Sequence, residues 1–215
     1  MTNAEKFKSI FRGKITRPDS AELLAWLENK TDFFTAPAST KYHGAYPGGL
    51  VDHSLNVYDA FMELQKTGRF TELAFDMGLS LAGMEETAAI CALLHDVCKT
   101  DYYAPGTRRQ KNAAGEWETV PCYTVKDGFP LGHGEKSVFL IQQFISLRTE
   151  EALAIRWHMG PYDEAARGGS RGLSEAMAFS PLVYELHAAD MRATQREQQR
   201  EREGKGAAGN GDISG

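Results

Sequence analysis

Apolar residues recur at helical spacing along most of the chain. After Pro18-Asp19-Ser20, the residues Leu23, Leu24 and Leu27 share one face, which predicts a capped helix over 21–29. Leu50, Leu55, Val57, Tyr58, Phe61, Met62 and Leu64 predict a largely buried helix from 50 to about 64. Helices over roughly 71–81 and 85–98 follow, and the second of these is the most apolar stretch of the chain. The pattern resumes over 135–147, 149–158 and from 180 to about 200. Thr149 is placed to cap its helix, with Glu150 and Glu151 in the first turn, where the helix dipole favours negative charge.

Two stretches break this period. Residues 31–49 are rich in Thr, Pro, Ser and Gly and end on Pro47-Gly48-Gly49, so they read as a loop. Residues 100–134 hold Pro105, Gly106, Gly115, Pro121, Gly128 and Pro130, while Trp117-Glu118-Thr119-Val120 and Cys122-Tyr123-Thr124-Val125 alternate with aromatic and β-branched types. A small β-hairpin insertion around residues 100–130 is expected there. The fold class is therefore all-α with this one β element. The tail over 201–215 is Glu/Arg/Gly-rich, then Gly/Ala/Asn, and is expected to be disordered because it has little surface to bury.

Composition narrows the setting. With 215 residues the chain suits one core, and a net charge of −5 gives no global attraction to nucleic acid or to an anionic membrane. No apolar run reaches the roughly 18 residues of a membrane span, and the N-terminus lacks the apolar centre of a signal peptide. Cys91, Cys98 and Cys122 are odd in number with no zinc-ribbon spacing, so free buried thiols in a reducing cytosol are the simplest reading. A cytoplasmic location is expected.

The chemistry concentrates in Ala88-Ala89-Ile90-Cys91-Ala92-Leu93-Leu94-His95-Asp96-Val97-Cys98-Lys99. An apolar run here delivers an imidazole and a carboxylate side by side, with Lys99 three residues on. His53, His133, His158 and Asp190 complete a set of four histidines and two aspartates, suited to one or two divalent ions such as Mn, Fe, Co, Ni or Mg. Adjacent helical residues point about 100° apart, so His95 and Asp96 suit a cleft between helices, where Asp96 could bridge two ions. Taken alone, His95-Asp96 would read equally well as a helix-end charge pair. His43 and His187 are not assigned as ligands; His187 either orients a ligand or packs as a polar core residue. The run from Glu197 to Glu203 reads as a solvated helix end.

The order His, His-Asp, His, His, Asp resembles the HD superfamily of metal-dependent phosphohydrolases, and the likeness spans most of residues 42–194. It is strongest toward HD domains of the 3'–5' exoribonuclease type, in the segment Tyr42-His43-Gly44-Ala45-Tyr46-Pro47-Gly48-Gly49-Leu50-Val51-Asp52-His53-Ser54-Leu55-Asn56-Val57. The resemblance implies a single HD domain over 1–200 with an N-terminal helical extension, built as a helical bundle around a metal cleft. It implies a first site of His53, His95, Asp96 and Asp190, and a second completed by His133 and His158 with Asp96 bridging. Where relatives bind one metal only, His133 or His158 would instead support a ligand or bind phosphate.

The implied activity is hydrolysis of a nucleotide or related phosphate ester by a metal-activated hydroxide, of monoesters or diesters. Asp96 and Lys99 are the expected catalytic residues. Lys99, Lys136 and Arg156, with Arg108 and Arg109 on the insertion, are the expected phosphate contacts, and Tyr102, Tyr103, Trp117 and Tyr123 could stack on a base. The exoribonuclease relatives carry an OB-fold for which this chain has no room, so a small nucleotide is the expected substrate. Two other functions share the motif set: a mixed-valent di-iron oxygenase, and a non-catalytic nucleotide-binding module.

Overall fold

The structure, a computed structural model, describes residues 1–41, 44–112 and 114–209, with side chains for all of these except 204–209. Tyr42 and His43 of the glycine-rich segment and residues 210–215 of the expected tail lie outside the described residues. The elements run α1 (Asn3–Lys14), α2 (Ser20–Asn29), α3 (Gly49–Met62), α4 (Arg69–Asp76), α5 (Leu81–Leu94), β1 (Tyr103–Lys111), β2 (Trp117–Val125), α6 (His133–Ile141), α7 (Thr149–Arg156), α8 (Glu164–Arg167), α9 (Gly172–Phe179) and α10 (Pro181–Gly209). The chain is thus mostly helical with one antiparallel β-ribbon, whose register pairs Tyr103 with Val125 and Lys111 with Trp117. Among the described residues no single helix is long and apolar enough to cross a membrane.

Helix α5 is the axis of the core. Ser80 caps it by accepting the Gly83 N–H, and Met84 and every residue from Thr87 to Leu94 are buried. A helix apolar on all sides must be surrounded; α3 and α7 pack on it, and α10 packs along both α3 and α7. Helix α1 lies against α3 and α5. It begins with a capping box at Thr2 and Glu5, and it buries Phe7 and Phe11.

Several boundaries differ from the sequence reading. Helix α5 ends at Leu94, so His95 is its C-cap and Asp96 stands in the turn before a short 3-10 segment, Val97–Lys99. Arg148, not Thr149, takes the N-cap position of α7, with its N–H bonded to the Glu151 carboxylate at 2.8 Å. Helix α10 passes Arg200 and continues to Gly209, into the stretch expected to be disordered.

The glycines of the Gly-Gly-Leu segment explain how His53 is placed. Gly48 caps α3 at φ +85°, a left-handed conformation that costs other residues strain. The Gly48 and Leu50 N–H groups donate to the carbonyls of Thr35 and Ala36, docking the start of α3 on the preceding loop. Gly49 lies against the Gly44 carbonyl, and a Cβ there would be driven into that backbone. Gly49→Ala is therefore expected to cost about 2–3 kcal/mol by forcing the two segments apart. A urea melt would measure it; unchanged stability would show that this approach is not tight.

Candidate metal centre

The six candidate ligands come from five pieces of local structure. His53 sits one turn into α3, and His95 and Asp96 form the turn that closes α5. His133 opens α6, His158 follows α7, and Asp190 lies in α10. Gly134 sets the position of His133, because α6 approaches α7 so closely that a Cβ at Gly134 would meet the Arg156 backbone.

The fold brings all six together around Asp96. Asp96 Oδ1 lies 2.9 Å from His133 Nε2 and 3.5 Å from His158 Nε2. Its Oδ2 lies 3.3 Å from His95 Nε2 and 3.7 Å from His53 Nε2. Asp190 Oδ1 stands 3.2 Å from His53 Nε2. His53, His95, Asp96 and His158 are buried, while His133 keeps 29% of its side chain exposed.

Ring orientation fixes which nitrogen faces inward. His95 Nδ1 donates to the Ala92 carbonyl at 2.9 Å, and His158 Nδ1 donates to the Ile155 carbonyl at 2.7 Å. Both rings therefore present Nε2 as the free lone pair, the tautomer a metal ligand needs. Those two Nε2 atoms are buried and have no hydrogen-bond partner. An orphaned buried acceptor is costly, and two aimed at one carboxylate fit a cation between them. The groups His53/His95/Asp190, His95/Asp96/His158 and Asp96/Cys98/His133 each offer ligand atoms within 4.8 Å of one another, a spacing able to hold a metal ion.

Charge in the cluster is strongly coupled. Burial opposes ionisation of Asp96, but Lys99 and His95 outweigh it and hold the carboxyl well below the usual range. Asp190 behaves alike: burial is overcome by its bond to His53, and its pKa falls. For His53 burial is overcome by Asp190 and Glu197, which push its pKa up to about 10.

No family model, curated protein or solved structure matches the chain. The site therefore rests on its own geometry, which is compatible with an HD-type arrangement.

Glu197 was misjudged from sequence. Its carboxylate accepts from His53 Nδ1 at 3.1 Å and from Asn56 Nδ2 at 2.7 Å, and only 11% of its side chain is exposed. The available signal was spacing, since Glu197 is two turns after Asp190 and so shares its face of α10. A carboxylate behind a histidine aims the ring and raises its basicity. Glu197→Ala is expected to weaken metal binding about 10–100-fold while the fold persists. Competition with a chromogenic chelator would read this out; unchanged affinity would reduce Glu197 to a packing residue.

The expected phosphate contacts divide. Lys99 Nζ is 2.6 Å from Asp96 Oδ2 and only 13% exposed. Lys99, Tyr162 and His187 line a small cleft of about 170 Å³ with His53, Asp96 and Asp190. Lys136 and Arg156 line a larger cleft of about 640 Å³, bordered by His133, Cys98 and Tyr102. Met159 and Tyr162 are common to both. Arg156 stacks 3.9 Å over Trp157 and pairs with Asp163 at 2.8 Å and Glu135 at 2.5 Å. Arg108 and Arg109 are exposed on β1 and line neither cleft. The base of the hairpin, through Tyr102 and Asp127, is the part that borders the larger cleft. His187 donates from Nδ1 to the His158 carbonyl at 2.7 Å, steadying the turn that carries His158.

Proposed function

We propose that the chain is a metal-dependent phosphohydrolase of HD type that cleaves a small phosphate ester, with a nucleotide as the favoured substrate class. One observation carries the reading: the unpartnered Nε2 atoms of His95 and His158 converge on Asp96 beside a cleft furnished with lysine and arginine. Divalent cations held by His53, His95, Asp96, His133, His158 and Asp190 would supply an acidified water, and so a hydroxide nucleophile near neutral pH.

The remaining work falls to the chain's own groups. Lys99 has its pKa raised by Asp96 against the effect of burial, so it stays protonated and sets a fixed positive charge beside the centre. That charge suits a phosphoryl oxygen gaining negative character. Lys136 Nζ is anchored 2.7 Å from Asp127 and lies 5.2 Å over the Tyr102 ring. Arg156 is held by Asp163 and Glu135. Both cations are thus oriented before substrate arrives, which spares ordering entropy on binding. Tyr162, 61% exposed between the two clefts, offers a face on which a base could stack.

The test is metal content on protein purified without chelator, followed by phosphate release from a panel of nucleotides and simple phosphate esters. About two ions per chain and turnover are expected. Two irons with oxygen uptake and no phosphate release would overturn the hydrolase reading in favour of a di-iron oxygenase. Full metal loading with nucleotide binding and no turnover would make the chain a binding module.

A further inference from the structure

His187 lines the small cleft beside the metal centre but is not one of its six candidate ligands. It stands three residues before Asp190, on the same face of α10. Two contacts fix its ring. Nδ1 donates to the His158 carbonyl at 2.7 Å. The ring also lies over Gly160, where φ is +55° and an added Cβ would come within 2.6 to 2.8 Å of Cε1, Nδ1 and Nε2. A carbonyl can only accept, so Nδ1 carries the proton and Nε2 of the neutral ring is left as an acceptor. Among the described residues nothing donates to it.

The cleft's other polar groups are less suited to receive a hydrogen bond. Lys99 can only donate and is drawn to Asp96 at 2.6 Å. His53, Asp96 and Asp190 belong to the metal centre, and the Thr194 hydroxyl faces Asp190 Oδ1 at 3.5 Å. Tyr162 is mostly exposed to water. The small cleft, at about 170 Å³, is too small for a whole nucleotide, whereas the larger one holds about 640 Å³ and shares Met159 and Tyr162 with it. Met159 and Tyr162 flank Gly160, the residue under His187, so the ring stands at the junction of the two clefts. A nucleotide with its phosphate at the metal centre and its base in the larger cleft has its sugar at that junction, and sugar hydroxyls are the donors nearest the phosphate.

We propose that His187 is a substrate-binding residue whose Nε2 accepts a hydrogen bond from a ribose hydroxyl, which makes the site selective for ribonucleotides over deoxyribonucleotides. The inference rests on the phosphohydrolase reading of the same centre and adds to it the sugar class of the substrate. A site built to receive a hydroxyl leaves its acceptor unpaired against the deoxy compound, and that asymmetry is the source of the discrimination.

The experiment measures kcat/KM of the metal-loaded full chain on ribonucleoside 5′-monophosphates and on their 2′-deoxy and 3′-deoxy counterparts, with phenyl phosphate as an ester that carries no hydroxyl. At least one deoxy series should be disfavoured about 10–100-fold. His187→Asn keeps a side-chain N–H near the place of Nδ1 but has no acceptor near that of Nε2, so the preference should collapse while metal per chain stays at the wild-type level. His187→Gln, whose amide oxygen can reach the place of Nε2, should restore part of it. Equal or faster turnover of both deoxy forms, turnover of phenyl phosphate alone, or a preference that survives His187→Asn overturns the hydroxyl contact and leaves the hydrolase standing. Loss of metal by His187→Asn reduces His187 to support for the His158 turn and overturns the contact as well. No phosphate release from any ester at full metal loading overturns both.

Discussion

Asp96→Ala is expected to remove at least one metal ion and to reduce phosphate-ester hydrolysis by more than a thousandfold, about 4 kcal/mol of barrier. The basis is that Asp96 lies within 3.7 Å of four of the other five. Its two oxygens lie between 2.9 and 3.7 Å from the Nε2 atoms of His53, His95, His133 and His158. Lys99 takes its position from the same carboxylate, at 2.6 Å. Removing the carboxylate therefore takes a ligand from each half of the centre and releases the one lysine fixed beside it. His158→Ala is a useful contrast, because its Nε2 faces Asp96 from one side only and its loss should lower the occupancy of one site. Elemental analysis and initial rates on the two variants, with circular dichroism to confirm the helices, decide the matter. Retention of both ions by Asp96→Ala would refute the bridging role.

The cluster was legible because its six candidate ligands are rare residue types in sharply marked contexts. His95-Asp96 follows an apolar run that only a surrounded helix can bury, and His53 follows two glycines whose close approach to the preceding loop fixes the start of α3. Helix periodicity gave α2, α3 and α5 with shifted ends, since boundaries depend on caps and tertiary contacts more than on spacing. Glu197 was misread because it lay in a charge run, which composition assigned to solvent; only the passage of α10 across α3 brings it to His53. The insertion was legible as a hairpin, yet its arginines proved to sit on the exposed strand, since nothing in strand alternation says which way a two-stranded arm leans.

The second large effect concerns stability and was invisible in the sequence. Glu151, read as a first-turn residue favoured by the helix dipole, is fully buried. Its carboxylate accepts two hydrogen bonds from Arg17, at 2.7 and 2.6 Å, and one from Thr87 Oγ1 at 2.7 Å. Arg17 also donates to the Ser146 carbonyl at 2.6 Å, so the network ties the start of α2 to α5 and to the loop before α7. Removing one partner of a buried ion pair strands the other charge, which typically costs about 3–5 kcal/mol. Glu151→Ala should fall near the lower figure, because Arg17 still has the Glu86 carboxylate 3.5 Å from its Nε and keeps 13% of its side chain exposed to water. At about 2–4 °C per kcal/mol for a chain of this size, the melting temperature should drop by roughly 6–12 °C. The ion pair itself need not be a net gain, since charges desolvated together can be replaced by apolar groups of similar volume with little loss. Arg17→Met combined with Glu151→Leu should therefore recover most of the deficit. If the double variant melts as low as Glu151→Ala, the cost lies in the lost Thr87 and Arg148 hydrogen bonds and not in the stranded guanidinium. Metal content should stay at the wild-type level in both variants, because no candidate ligand hydrogen-bonds to Arg17 or Glu151 among the described residues.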